Sequence, residues 1–120
     1  MAVFAGISSN LTHRIAVYVP GGNPRTNLGT ALQQSWTDTM LEAFGTFFGG
    51  STAVNVQGTW IGLDDKVVRE PVNMVYSYCT SEQYDKHQAD VLHLAKCLAN
   101  GMKREAVAVE VDGALFLVTP

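Results

Sequence analysis

The chain has 120 residues, 47% of them hydrophobic and only 16% charged, with eight Lys and Arg against eleven Asp and Glu for a formal net charge of −3. A single domain of this length buries roughly two-thirds of the surface its unfolded chain exposes, so a core without disulfide or metal staples is feasible. The scattered cations argue against nucleic acid as a partner, which demands a basic stripe, and no apolar run is long enough to span a bilayer.

Residues 1–12 read as an extra, loosely ordered N-terminal segment of one domain covering 1–120. Met1 to Ile7 is apolar, but no Lys or Arg precedes it and it is too short for a signal-peptide core, so a cytoplasmic location is expected. Arg14 to Val19 is the first strand, with Ile15, Val17 and Val19 on one face and Ala16 and Tyr18 on the other. Pro20-Gly21-Gly22-Asn23-Pro24 breaks it. A helix starting between Asn23 and Asn27 then runs to about Phe48, with Leu28, Leu32, Trp36, Met40, Ala43 and Phe47 as its apolar stripe. Gly49-Gly50 stops it.

From Val54 to Trp60 the chain alternates: Val54, Val56, Gly58 and Trp60 share one side, and Asn55, Gln57 and Thr59 the other. Gly62-Leu63-Asp64-Asp65 makes a turn. Pro71 is expected to interrupt the returning arm before a strand from Val72 to Cys79. Thr80-Ser81-Glu82-Gln83 reads as a capping box, opening a helix with Tyr84, Val91, Leu94, Ala95, Leu98 and Met102 on one face and Asn100-Gly101 at its end. Ala106 to Val111 alternates again, Asp112-Gly113 carries a type I′ hairpin signal, and Ala114 to Val118 closes the chain. The fold expected is α+β: a ferredoxin-like βαββαβ two-layer sandwich with two helices on one face of an antiparallel sheet, plus a C-terminal hairpin strand. Its open face, on a weakly charged chain, suggests closure by a second copy in a homodimer.

The runs Gly49-Gly50-Ser51-Thr52, Gly58-Thr59-Trp60 and Val68-Arg69-Glu70-Pro71 resemble the Gly-Gly-x-Thr, Gly-x-Trp and acidic-Pro pattern of a small bacterial family of unknown function. The resemblance covers roughly Arg14 to Val118. It implies a ferredoxin-like α+β domain and carries no activity with it.

Candidate chemistry is sparse. A hairpin around Asp64-Asp65 would bring Trp60 toward Arg69 and Glu70, a set able to hold a small polar or aromatic ligand; the plainer alternative is a Trp packing the hairpin beside a surface ion pair. Arg25 beside the Gly-Gly turn matches no phosphate-binding fingerprint. Cys79 and Cys97 are expected to lie roughly 20 Å apart by helix geometry, too far for a disulfide, and therefore to be free thiols. His93 and Cys97, four apart on a helix, form a conceivable imidazole–thiol couple, although a mid-helix Cys is far more often inert. His13 has no sequence partner. No Ser-His-Asp arrangement is recognisable, and no spacing suits a metal. Tyr18, Asn55, Gln57, Asn73, Ser77 and Glu110 are expected to project away from the helices, lining either a polar ligand cavity or a hydrated dimer seam.

These readings point first to a small-molecule-binding or regulatory module acting as a homodimer, with no cofactor. Trp60, Arg69, Glu70, Tyr18, Asn55 and Gln57 are its candidate ligand-binding residues. A cofactor-independent enzyme using Glu70, His13 or Tyr18 for proton transfer, and a structural interaction domain, are the alternatives.

Overall fold

Seven elements follow along the chain: β1 (His13–Val19), α1 (Leu28–Phe48), β2 (Thr52–Ile61), β3 (Val67–Cys79), α2 (Ser81–Gly101), β4 (Val107–Val111) and β5 (Ala114–Val118). The computed structural model describes residues 10–21, 28–62 and 64–120. The expected N-terminal segment before residue 10 and the turn carrying Arg25 lie outside the described residues. The strands form one sheet in the order β2-β3-β1-β4-β5, every neighbouring pair antiparallel. The protein is α+β with a five-stranded antiparallel sheet and two helices, and its element order is β-α-β-β-α-β-β.

Local chemistry accounts for most boundaries. Gly49 takes φ 86° and returns its N–H to Gly45 O at 2.9 Å, ending α1 as a left-handed residue does. Thr80 caps α2: its side chain accepts from the Gln83 N–H at 3.1 Å, while its own N–H donates to Gln83 Oε1 at 2.9 Å. α2 ends at Gly101, as expected, and the left-handed residue that follows is Lys103 (φ 55°). Asp112 and Gly113 both have positive φ, 50° and 88°, as a type I′ turn requires.

Both helices lie on one sheet face. Ile15, Val17 and Val19 of β1, Val75 and Cys79 of β3, and Val107 and Val109 of β4 join Met40, Phe44, Phe48, Val91, Ala95 and Leu98 in a single buried cluster. Two expectations are corrected here. The buried stripe of α1 is Gln33, Thr37, Met40, Phe44 and Phe48, while Leu32 faces solvent. Two polar residues tolerate burial because each is hydrogen-bonded: Gln33 donates to Val19 O (3.2 Å) and Pro71 O (3.0 Å), and Thr37 donates to Gln33 O (2.7 Å). β3 also runs unbroken through Pro71, which pairs with Gln57. β1 has already ended at Val19, opposite Asn73, so β3 has only β2 beside it there, an edge-like place where proline is accommodated.

Candidate functional site

Among the described residues, no helix or strand covers the sheet face away from the helices. Register assigns to it Arg14, Ala16 and Tyr18 of β1, Met74, Tyr76 and Tyr78 of β3, Glu110 of β4, and Leu115 and Leu117 of β5. Leu115 and Leu117 are 60% and 72% exposed. Near the centre, Ala16 lies between Tyr76 and Glu110 and is fully buried beneath its neighbours. Arg14 and Tyr18, two residues to either side, both approach Glu110. Tyr18 Oη is 3.5 Å from Glu110 Oε1, and Arg14 Nε is 3.6 Å from Glu110 Oε2.

Both contacts are long and therefore weak, so the Glu110 carboxylate keeps acceptor capacity for a further donor. Arg14 Nε is buried without a hydrogen-bond partner among the described residues. The rest of the guanidinium is occupied: Cζ lies 4.7 Å above the Tyr76 ring, and Nη2 donates to Met74 Sδ at 3.5 Å. Tyr76 and Tyr78 meet edge to face at 6.0 Å. Burial, reinforced by the charge of Glu110 and its hydrogen bond, raises the Tyr18 pKa against the opposing pull of Arg14, which keeps the phenol a donor.

A second polar region lies on the β2–β3 ribbon. A concavity of about 340 Å³ is lined by Asn55, Val56, Gln57, Arg69, Glu70 and Pro71. Glu70 is anchored by Arg104 Nη2 at 2.7 Å, with both side chains largely buried. Asn55 donates to Asn73 Oδ1 at 3.0 Å, and Asn73 donates to Thr37 Oγ1 at 3.1 Å.

Four of the six expected ligand residues (Asn55, Gln57, Arg69 and Glu70) therefore meet around one concavity. Tyr18 belongs to the central cluster on the uncovered face. Trp60 stands half-exposed toward the ribbon's end, paired with Val68. The expected approach of Trp60 to Arg69 is not observed, because Arg69 pairs with Thr59 and strand alternation puts it on the opposite face from Trp60. The expected polar lining of the open face is also corrected. Tyr18 and Glu110 do face away from the helices, but Asn55, Gln57, Asn73 and Ser77 face toward them. Val75 and Cys79 fill the core, and alternation carries Asn73 and Ser77 inward with them. There Asn73 meets Thr37, and Ser77 donates to Gly50 O at 2.6 Å.

A third constellation escapes sequence reading altogether. His13 Nδ1 lies 2.7 Å from Asp112 Oδ2, and its Nε2 lies 2.9 Å from Ser81 Oγ. His13 has no partner near it in sequence, and the fold supplies both of these from afar. The partners are 68 and 99 residues away in sequence, brought together where β1 starts, α2 starts and the β4–β5 turn closes.

Cys79 and Cys97 are free thiols, and burial raises the pKa of Cys79, disfavouring its thiolate. His93 Nε2 and Cys97 Sγ make a long contact of 3.7 Å. Among the described residues no three or more His, Cys, Asp or Glu converge as a metal site would need, and no helix is long and apolar enough to cross a membrane.

No protein-family model matches the chain, and no curated protein matches it in sequence. Its fold is similar to that of a phage SAM lyase. The structure of that lyase with S-methyl-5'-thioadenosine aligns at TM-score 0.63 and 15% identity over 95% of this chain and 96% of the other. Its apo structure aligns at TM-score 0.64 and 16% identity over the same shares. A CutA protein from Synechococcus elongatus aligns at TM-score 0.45 and 14% identity over 92% of this chain and 79% of that one. At these identities the likeness to the lyase is one of fold.

Proposed function

We propose that the chain is a small-molecule-binding module that works as a homodimer, and that its ligand is of the adenosyl-sulfonium or thioadenosine class. One observation carries this reading: the Arg14–Tyr18–Glu110 cluster, partly buried and not fully hydrogen-bonded, is set in a sheet face that no helix or strand among the described residues covers. A sulfonium centre is a permanent cation, attracted both by a carboxylate such as Glu110 and by the faces of tyrosine rings. Tyr76 and Tyr78 offer flat surface for a purine, and Arg14 offers a charge for an amino-acid carboxylate. The ribbon concavity with Asn55, Gln57, Arg69 and Glu70, and Trp60 farther out, is a separate polar region, since Asn55, Gln57 and Arg69 lie on the helix side of the sheet. The second copy excludes water from the cluster on the uncovered face. Full-length likeness in fold to a lyase solved with S-methyl-5'-thioadenosine supports this ligand class. Two free thiols suit the reducing cytoplasm as its setting.

Native mass spectrometry with S-adenosylmethionine and with S-methyl-5'-thioadenosine tests the reading. A dimer that takes up either compound, with binding weakened about tenfold or more in Glu110→Gln, is expected. A bare monomer at micromolar concentration that binds neither overturns it.

A second reading is favoured by the same fold likeness: the site does chemistry without a cofactor. The carboxylate of the S-adenosylmethionine amino-acid arm attacks its own Cγ, so that the Cγ–S bond breaks, neutral S-methyl-5'-thioadenosine leaves and the arm departs as a lactone. Chromatographic detection of S-methyl-5'-thioadenosine, growing with time and protein concentration and lost in Glu110→Gln, separates an enzyme from a binding module.

A further inference from the structure

We propose that Ser81, His13 and Asp112 form a nucleophilic acyl-transfer site that hydrolyses small carboxylic esters, separate from the ligand site on the uncovered face. The geometry is that of a nucleophile, a base and a group that orients the base, each within direct hydrogen-bond reach of the next. Ser81 Oγ to His13 Nε2 is 2.9 Å, and His13 Nδ1 to Asp112 Oδ2 is 2.7 Å. An ionised carboxylate only accepts, so the proton between His13 and Asp112 resides on Nδ1. In the neutral ring Nε2 is then left with the lone pair that accepts the Ser81 hydroxyl proton.

Each member is fixed by contacts outside the set. Asp112 Oδ1 accepts the Arg14 backbone N–H at 2.8 Å, and the Asp112 N–H donates to Arg14 O at 3.0 Å, so the carboxylate is pinned to the strand that carries His13. The imidazole stacks on the Tyr84 ring, with centroids 5.6 Å apart and planes 24° from parallel. Ser81 is the first residue of α2 and lies just inside the Thr80–Gln83 capping box.

That position supplies what a developing oxyanion needs. The first amides of a helix have no intrahelical acceptor. In α2 the Gln83 amide is taken by the Thr80 side chain, and the Tyr84 amide by Thr80 O. The amides of Ser81 and Glu82, in the first turn, have no acceptor within the helix and lie at the positive pole of its dipole, next to the nucleophile in sequence. Ser81 is exposed, so short, flexible acyl groups that need no deep pocket are the ones expected to react.

The steps balance without an added reactant beyond water. Ser81 Oγ attacks the ester carbonyl carbon while its proton passes to His13 Nε2. The C–O bond to the alcohol breaks, and the leaving alkoxide takes that proton. Water then attacks the acyl-serine, gives a proton to His13, and the acid departs as Ser81 Oγ recovers it. Ser81 and His13 are the catalytic residues, and Asp112 is a positioning residue.

A fluorophosphonate probe tests the assignment on the whole chain. Ser81 Oγ displaces fluoride from phosphorus, leaving a P–O bond that intact mass and peptide mapping can locate. One adduct per chain at Ser81 is expected, absent in Ser81→Ala and formed at least about 100-fold more slowly in His13→Gln. Asp112→Asn should slow labelling by about 100-fold or more, because the ring loses its orienting acceptor. Asp112→Glu should restore a substantial part, which loss of a merely structural contact would not predict. Ser81→Ala leaves the cap and the ring contacts in place, so p-nitrophenyl acetate turnover lost in that variant, with an unchanged circular dichroism melt, gives support even if another variant unfolds. No adduct at Ser81 in the folded wild-type chain, under conditions that fully label a control serine hydrolase, overturns the proposal. So does labelling at an unchanged rate in His13→Gln.

Discussion

Asn73 on β3 donates its Nδ2–H to Thr37 Oγ1 on α1 at 3.1 Å, and this bond lies inside the interface between helix and sheet. Thr37 is buried and passes its own hydroxyl hydrogen to Gln33 O. Thr37→Val keeps the shape but leaves the Asn73 amide without its acceptor, and should cost about 1–3 kcal/mol. Replacing both residues, Thr37→Val with Asn73→Leu, removes donor and acceptor together and should cost less than the two single changes added. A urea-denaturation double-mutant cycle reads the coupling, expected at about 1 kcal/mol. Strictly additive costs would mean that the seam is not held by this bond.

Gly21 is required where β1 leaves the sheet. A Cβ there would stand 2.5 Å from Pro71 O, a backbone atom that also accepts from Gln33 and so cannot easily yield. Gly21→Ala should destabilise the chain by about 1–3 kcal/mol. At Gly50 a Cβ meets nothing within 4 Å and φ is not positive, so Gly50→Ala serves as the control and should leave the urea midpoint within about 0.5 kcal/mol of wild type or slightly above it. Equal losses in the two variants would show that contact with Pro71 O is not what makes Gly21 necessary.

These two sites also show where sequence reading succeeds and where it stops. Thr80–Gln83 and Asp112-Gly113 are legible because each completes its hydrogen bonds or turn within a few residues. The alternation of β2 was equally visible, but alternation defines two faces without saying which is inward. That choice is made by Val75 and Cys79 on the neighbouring strand, whose burial pulls Asn73 and Ser77 inward and, through the register Asn55↔Asn73, Asn55 and Gln57 as well. In α1 the apolar pattern pointed to Leu32 and Trp36, whereas Gln33 and Thr37 are buried because their partners on β1, β3 and the helix itself satisfy them. Partners this distant leave no local signature. The Ser81–His13–Asp112 set is the extreme case, since its members lie on three different element boundaries.

Asp112 gives a pH signature with a definite sign. The hydrogen bond from His13 and the Arg14 backbone N–H hold its carboxyl below the usual carboxylate range, outweighing a slight opposing desolvation. A lowered folded-state pKa adds stability that is fully present above the unfolded Asp value of about 3.9. That stability is lost as pH falls from there through the lowered value. Asp112→Asn should therefore be less stable than wild type at neutral pH, and the gap should close on acidification below about pH 4. Thermal melts from neutral pH down to the acid limb measure it. A gap that stays constant across that range would show that the side chain's charge plays no part.

The Arg14–Glu110 pair links stability to ligand binding on the uncovered face. Arg14 and Glu110 keep 31% and 20% side-chain exposure, so the pair is neither fully screened nor fully buried. Removing the carboxylate in Glu110→Gln leaves a guanidinium whose Nε already lacks a hydrogen-bond partner. The expected loss is about 1–3 kcal/mol, below the 3–5 kcal/mol of breaking a fully buried pair because water still reaches both groups. Arg14→Met removes the cation instead, keeps apolar contact with Tyr76, and should cost less than Glu110→Gln, since it strands no unpaired charge. The ligand response should run along the same axis: S-adenosylmethionine raises the melting temperature of the wild-type chain and raises that of Glu110→Gln markedly less at the same concentration, since the neutral amide no longer attracts a sulfonium. Equal stabilisation of both by the compound would place its cation away from Glu110, and Glu70 on the neighbouring ribbon would then be the carboxylate to change next.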